Sequence, residues 1–345
     1  MKIPDYVNKY DQENQFDVLK NSYKQIESAR ANQIDLKALS NKKFSAIIVT
    51  GLGGSAISGD ILQTFVQKEL TIPFIVNRSY HIPPFGDENS LVMASSYSGN
   101  TEETLSVFNE ALERKCNIVC LGSGGKLMEL AGKHDLPFVK LEKGYQPRYS
   151  LYNSFFSLLL VLERLKLIPD QQKVVESIIN NIREDGKKYS EENNSALNIA
   201  ESLIGFIPLI YSAVDITSAV GTRLKCQFNE NSKLHAFHNI IPELNHNEII
   251  GWETFLDKQI NAKLITLIDR EYHPQIKRRF EITSELIAGT GVEVISLSSD
   301  KSTLKERLFD LIYLGDWISY YLAVLRGVNP TSIKNINILK ERLAV

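Results

Sequence analysis

The amino-acid sequence predicts an α/β chain of two doubly wound parallel-sheet domains, preceded by a helical arm. Three observations lead there. Apolar, β-branched runs alternate with helical patterns from Phe44 onward; glycine and serine crowd two of the strand-to-helix junctions; and a second alternation begins near Ile207, after a long polar helical stretch. A length of 345 residues suits two cores rather than one. The expected division places the arm and first domain at 1–167 and the second domain at 168–345.

Residues 11–40 are polar with an apolar stripe at Phe16, Leu19, Tyr23 and Ile26, which predicts a helical arm packed across the first domain. Phe44–Thr50 is a continuous apolar run of the central-parallel-strand kind. It enters Gly51–Asp60, a Gly/Ser junction, and then a helix to about Val66. Strands follow at Ile72–Val76, Leu91–Ser95, Asn117–Leu121 and Pro137–Leu141, with a helix over 101–115. A strongly apolar helix, Leu151–Leu165, closes the first domain, and Ile168-Pro169-Asp170 is the joint. Residues 171–201 read as a polar, bridging helical segment. The second alternation has strands at Ile207–Tyr211, Lys263–Ile268 and Gly291–Leu297 and a long helix from about Leu304 to Arg326.

A net charge of −2 gives no reason to expect a polyanionic partner, so neither nucleic acid nor an anionic surface is expected. Three cysteines form no disulfide framework, which points to a reducing compartment. Met1–Lys9 has no apolar segment of the secretory kind, and the best apolar stretch, Phe155–Leu162, is broken by Glu163 and Arg164. A cytoplasmic protein is expected, with no membrane span.

Three stretches bear chemistry. Ser95–Thr104 places several hydroxyls and Gly99 on a strand-to-helix turn, where free amides and the helix dipole favour a phosphate; with no Lys or Arg there, hydroxyls and amides would hold it. The alternative is that Ser98 or Thr101 merely caps the helix. The second stretch, Gly51–Asp60, is close to the dinucleotide fingerprint, but its third glycine is displaced to Gly59 and no acidic ribose partner ends the next strand, so a nicotinamide cofactor is disfavoured. The third, 227–248, holds Glu230, His235, His238 and His246; Glu230 and His246 lead the acid/base candidates. Metal ligation by these histidines and carboxylates is a minor reading, because their spacings match no established ligand pattern; capping or solvated residues are the other alternative.

G-x-G-G-S at Gly51–Ser55 followed by S-S-Y-S-G-N-T-E-E-T at Ser95–Thr104 resembles the sugar isomerase (SIS) domain, a flavodoxin-like sugar-phosphate module. With the tandem arrangement, the motifs P-R-Y-S-L, N-E-N-S-K, P-E-L-N-H-N-E and the terminal N-P-T-S-I-K-N-I-N-I-L-K-E-R-L resemble the bifunctional phosphoglucose/phosphomannose isomerase family over nearly the whole chain.

The resemblance implies aldose–ketose isomerisation of glucose, mannose and fructose 6-phosphates through a cis-enediolate, with neither metal nor cofactor. It implies Glu230 as the base between C1 and C2, His246 in ring opening, Arg148 as the fixed cation facing the enediolate and Lys340 beside the ring oxygen. Gly53, Gly54, Ser55, Ser96, Ser98 and Thr101 would hold the phosphate, and Thr331 would keep a water near C2. The family is expected to be homodimeric, with His246 completing the partner's site. Many relatives have a second proline after the terminal Pro-Thr; this chain has Ser332. The residues alone leave Arg148 open as a surface partner of Glu142, His246 as a core or cap histidine, and Lys340 as a solvated lysine. A sugar-phosphate sensor without chemistry is the alternative function; the chain shows no basic DNA-binding module to go with it.

Overall fold

A computed structural model describes residues 3–257 and 260–343. The chain divides into two units, 21–180 and 1–20 with 181–345, the cut falling inside one long helix. Two short helices come first, α1 (Ile3–Tyr10) and α2 (Gln15–Lys20).

In the unit 21–180, α3 (Ser22–Arg30) leads to β1 (Ala46–Thr50), α4 (Gly54–Val66), β2 (Phe74–Asn77), β3 (Ser90–Ser95), α5 (Glu102–Glu113), β4 (Asn117–Gly122), α6 (Gly125–Lys133), β5 (Phe138–Lys140), α7 (Leu151–Arg164) and the start of α8 (Gln172–Tyr189). All strands are parallel, in the order β2-β1-β3-β4-β5. That order reverses direction between β1 and β3, so their carboxyl ends open a crevice where a ligand can sit. Every residue of β1, β3 and β4 is buried, as expected for strands covered on both faces. Gly59 is where α4 meets the sheet: a Cβ there would lie 3.1 Å from the side chains of Val49 and Val76. The displaced third glycine thus serves helix–sheet packing. Within this unit α3 packs on α7, with Gln25 Nε2 donating to the Tyr149 carbonyl at 2.8 Å.

In the other unit, α9 (Ser195–Ser202) precedes β6 (Ile207–Ala213), α10 (Ser218–Glu230), β7 (Phe237–Ile241), β8 (Ala262–Leu267), α11 (Pro274–Ala288), β9 (Glu293–Leu297), α12 (Leu304–Leu325) and α13 (Lys334–Leu343). The sheet is again parallel, in the order β7-β6-β8-β9. It repeats the first sheet's winding with four strands among the described residues.

Three expectations change. The arm does not act as one piece: α3 belongs to the first sheet's unit, whereas α1 and α2 pack on α12. The physical reason is specific hydrogen bonding, with Tyr320 Oη donating to Asp11 Oδ2 at 2.8 Å and Tyr313 Oη to the Leu19 carbonyl at 2.7 Å. The edge strand β7 was not expected, because Phe237-His238-Asn239-Ile240-Ile241 has no clear alternation. Finally, α12 is long and apolar enough to span a bilayer by length and composition, although no such stretch was expected; 83% of its apolar stretch is buried, so these side chains form a core.

Candidate functional site

The first Gly-rich turn is shaped by backbone geometry. Gly53 has φ +52 and ψ −122, a region nearly closed to side chains, and from it the chain enters α4. The first amides of a helix have no acceptor within it; here they belong to Gly54 and the buried Ser55, whose amide donates back to the Leu52 carbonyl of the turn at 3.1 Å. Two close approaches bring neighbouring loops against this turn. A Cβ on Gly51 would lie 2.7 Å from the Ser95 carbonyl, and one on Gly54 would lie 2.7 Å from the Pro147 carbonyl. The β1–α4 turn, the β3–α5 turn and the 3-10 turn Pro147–Ser150 therefore meet at the sheet's carboxyl edge.

In the β3–α5 turn the hydroxyls brace one another. Ser96 Oγ lies 2.8 Å from Thr101 Oγ1 and accepts from the amides of Gly99 at 3.1 Å and Thr101 at 3.4 Å. Ser98 Oγ accepts from the Asn100 amide at 3.2 Å. Thr101 occupies the N-cap position of α5, but its side chain makes no capping bond. The capping alternative is thereby set aside: these hydroxyls shape the loop instead. A third turn, Gly122–Gly125, supports it from behind. Asn100 Oδ1 accepts from the Lys126 amide at 2.9 Å, and the Ser123 amide donates to the Tyr97 carbonyl at 2.8 Å. Gly99, at φ +73, has no room for a Cβ, which would collide with the Gly124 carbonyl.

Arg148 sits in the 3-10 turn and is 3% exposed, so it is not a surface residue. Its guanidinium lies 5.3 Å from the centroid of the Tyr149 ring. Tyr97 was missed by sequence reasoning. Its phenol donates to the Glu142 carbonyl at 3.0 Å and accepts from the Tyr145 amide at 2.9 Å. Burial above all, then the charge of Glu142, raises its pKa. Only its place between Ser96 and Ser98 could have drawn attention to it.

In the second sheet's unit, Glu230 is the last residue of α10 and is half-buried. A carboxylate at a helix C-terminus faces the negative end of the dipole, an arrangement that costs a few tenths of a kcal/mol and so has no capping purpose. The helix beneath it is firmly held. Arg223 Nε and Nη2 donate to Asp316 of α12 at 3.0 and 2.9 Å, and Gln227 Nε2 donates to the same carboxylate at 2.9 Å. One residue past Glu230, Asn231 Nδ2 donates to Ser319 Oγ at 3.0 Å. Glu230 is thus a polar group at the end of a rigidly seated rod.

His246 lies on a 3-10 turn, Glu243–His246, after β7. Leu244 is buried and Asn245 Nδ2 donates to Thr283 Oγ1 at 2.9 Å, so both anchor the turn. His246 itself is exposed and makes no hydrogen bond among the described residues, which removes the core-histidine alternative. The other two histidines are occupied elsewhere. His238 Nε2 is 2.7 Å from Ser212 Oγ and its Nδ1 is 3.2 Å from Thr222 Oγ1; burial, with help from Lys225, pushes its pKa down to about 4. His235 stacks on Phe237 with centroids 5.6 Å apart. Among the described residues no three or more His, Cys, Asp or Glu side chains gather as a metal site.

Near the C-terminus, Asn329 Oδ1 accepts from the amides of Thr331 at 2.7 Å and Ser332 at 3.2 Å, and its Nδ2 donates to Glu13 at 3.1 Å. Thr331 is buried on this turn. Lys340 is exposed on α13, a helix with no buried residue in its own unit. A pocket of about 430 Å³ at β7, lined by Tyr211, Lys225, His238, Asn239 and Glu248 among others, contains none of the residues expected to act.

Comparison with known proteins adds the family. Residues 192–343 match the model of the bacterial phospho-glucose isomerase C-terminal SIS domain. The chain is 39% identical to a bifunctional phosphoglucose/phosphomannose isomerase of Caldicellulosiruptor bescii, over 93% of this chain and 95% of that one. It is 36% identical to the protein of the same name from Aquifex aeolicus, over 87% and 91%. Among solved structures, the C-terminal domain of glucosamine-fructose-6-phosphate aminotransferase from Francisella tularensis superposes with a TM-score of 0.70 at 16% identity, covering 92% of this chain and 96% of that one, which shows the shared α/β fold. With identity of that degree sustained over almost its full length, the chain belongs to the bifunctional phosphoglucose/phosphomannose isomerase family.

Proposed function

We propose that this chain is an aldose–ketose isomerase that interconverts glucose 6-phosphate and mannose 6-phosphate with fructose 6-phosphate. The observation that carries the reading is the meeting of three loops at one sheet edge: a charge-free hydroxyl loop, a glycine turn that opens a helix, and a buried arginine turn whose Pro147 carbonyl lies 2.7 Å from the place a Gly54 Cβ would occupy. Hydroxyls and amides suit a phosphate ester that must leave after each turnover. Arg148, always charged and buried, suits a developing oxyanion.

The chemistry then follows from roles. Gly53, Gly54, Ser55, Ser96, Ser98 and Thr101 hold the phosphate. His246 moves the proton that opens the sugar ring, and Lys340 lies by the ring oxygen. The Glu230 carboxylate takes the proton from C2 of the aldose, and the C2–H electron pair forms the C1–C2 double bond of an enediolate. As the C1–C2 double bond forms, the C1 carbonyl pair moves onto O1. The O2 hydroxyl proton then passes to O1, C2–O becomes the carbonyl, and the same carboxyl returns its proton to C1, so protons and charge balance in the ketose. Arg148 stabilises the negative charge on the enediolate oxygens. Thr331 holds a water near C2, which leaves room for both C2 configurations. The residues assigned to the phosphate fall in the unit 21–180, and the base and the terminal helix in the unit of 1–20 with 181–345. His246, exposed and uncommitted on an anchored turn, fits donation to the site of a second copy in a homodimer. Three thiols without a disulfide fit the cytoplasm.

A coupled assay on the purified protein in EDTA tests this. Both aldose phosphates are expected to yield fructose 6-phosphate, and Glu230→Gln to lower kcat by about a thousandfold, as loss of a general base does. No turnover of either sugar by the wild-type protein overturns the activity; full turnover by Glu230→Gln overturns the base.

A further inference from the structure

We infer that Tyr97 is a positioning residue that sets the distance between the phosphate loop and Arg148, an inference that rests on the isomerase reading. Tyr97 stands between Ser96 and Ser98, the two serines assigned to the phosphate. Its backbone is tied to the third Gly turn, where the Ser123 amide and Ser123 Oγ donate to its carbonyl at 2.8 and 2.7 Å. Its side chain reaches the other way. The phenol oxygen donates to the carbonyl of Glu142 at 3.0 Å and accepts from the amide of Tyr145 at 2.9 Å, so both polar capacities of one atom are spent on one short segment. That segment, through Gly144 at φ +101, runs directly into the turn bearing Arg148. The far side of the same turn abuts Gly54 at its Pro147 carbonyl. The arginine turn is therefore pinned from two directions, by backbone contact to the first Gly turn and by the Tyr97 phenol to the hydroxyl loop.

Binding the phosphate requires only the loop. Reaching the transition state requires the loop and Arg148 at one fixed separation, because the phosphate end and the enediolate end belong to one short molecule. Phosphate binding energy is then converted into alignment at C1 and C2. Loosening the tether should raise the barrier while leaving the grip on phosphate intact. Tyr97→Phe removes the oxygen and keeps the ring; the freed carbonyl and amide lie on a partly exposed segment where water can satisfy them, so the fold should survive.

The test is Tyr97→Phe in the full-length protein, with thermal melting, steady-state kinetics and two ligands. Glycerol 3-phosphate reports the phosphate loop alone, and an acyclic phosphorylated aldonate mimics the enediolate and reports loop and arginine together. The expected result is a kcat reduced about tenfold with KM within about twofold, weaker aldonate binding by the same factor as kcat, and unchanged glycerol phosphate binding. A kcat within about twofold of wild type, whatever the melting temperature does, overturns the inference, as does an equal loss of affinity for both ligands. An inactive wild-type protein would instead overturn the isomerase reading, so the two failures are distinguishable.

Discussion

Asp316→Leu is expected to destabilise the unit holding the second sheet by about 3–5 kcal/mol. Asp316 is 1% exposed on α12, and three donors from α10 converge on its carboxylate: Arg223 through Nε at 3.0 Å and Nη2 at 2.9 Å, and Gln227 through Nε2 at 2.9 Å. Arg223 is as enclosed, at 4%. Leucine deletes the anion but leaves the guanidinium where water does not reach. The cost is therefore that of a buried cation stripped of its bidentate carboxylate, larger than the net worth of the pair. Against an ordinary domain stability of about 5–15 kcal/mol, this lowers the melting temperature by on the order of 10 °C. Replacing both partners, as Arg223→Met with Asp316→Leu, removes the charge problem and should restore most of the loss. Thermal unfolding by circular dichroism compares the three proteins. The seating of α10 on α12 also orients Glu230, so kcat of the single variant should fall at a temperature where it is still folded. A single variant melting within about 2 °C of wild type, or a double variant no more stable than the single one, would refute the reasoning.

Two further outcomes follow from the same geometry. His238 is held neutral in the fold, with its pKa lowered from 6.5 to about 4, chiefly by burial. The unfolded chain takes up a proton below pH 6.5 that the folded one refuses until about 4, so this residue's contribution to stability is whole above 6.5 and lost as pH falls to 4. The loss amounts to about 3 kcal/mol at most, and melting curves across that range should flatten in His238→Gln. Gly99→Ala places a Cβ on the Gly124 carbonyl at a left-handed backbone position; it should destabilise by more than about 1 kcal/mol and raise KM for the sugar phosphates, measured by melting and kinetics.

Much of the fold was legible because its signals are local. A run such as Ile47-Ile48-Val49 has no polar face and can only be a covered strand. A glycine at Gly53 or Gly99 marks a backbone angle that other residues avoid. The Ser/Thr crowd at 95–104 could be placed on a strand-to-helix turn for the same reason. What was not legible was the use of each polar group. Ser96 and Thr101 bond each other before they meet any ligand. His238, from the same polar stretch as His246, is consumed by Ser212 and Thr222. Tyr97 finds its partners 45 and 48 residues away, a separation no period encodes.

Periodicity and turn chemistry thus decided the class of fold, the alternation of its elements and the edge at which a ligand would bind, since each of these depends on neighbours within a few residues. Tertiary structure decided that β7 exists, that α1 and α2 pack on α12, that the apolar stretch of α12 is a core, and which of three histidines is left uncommitted. Those outcomes turn on hydrogen bonds and burial between segments far apart in the chain, such as Asp11 with Tyr320 and Arg223 with Asp316, and only folding brings such groups within reach.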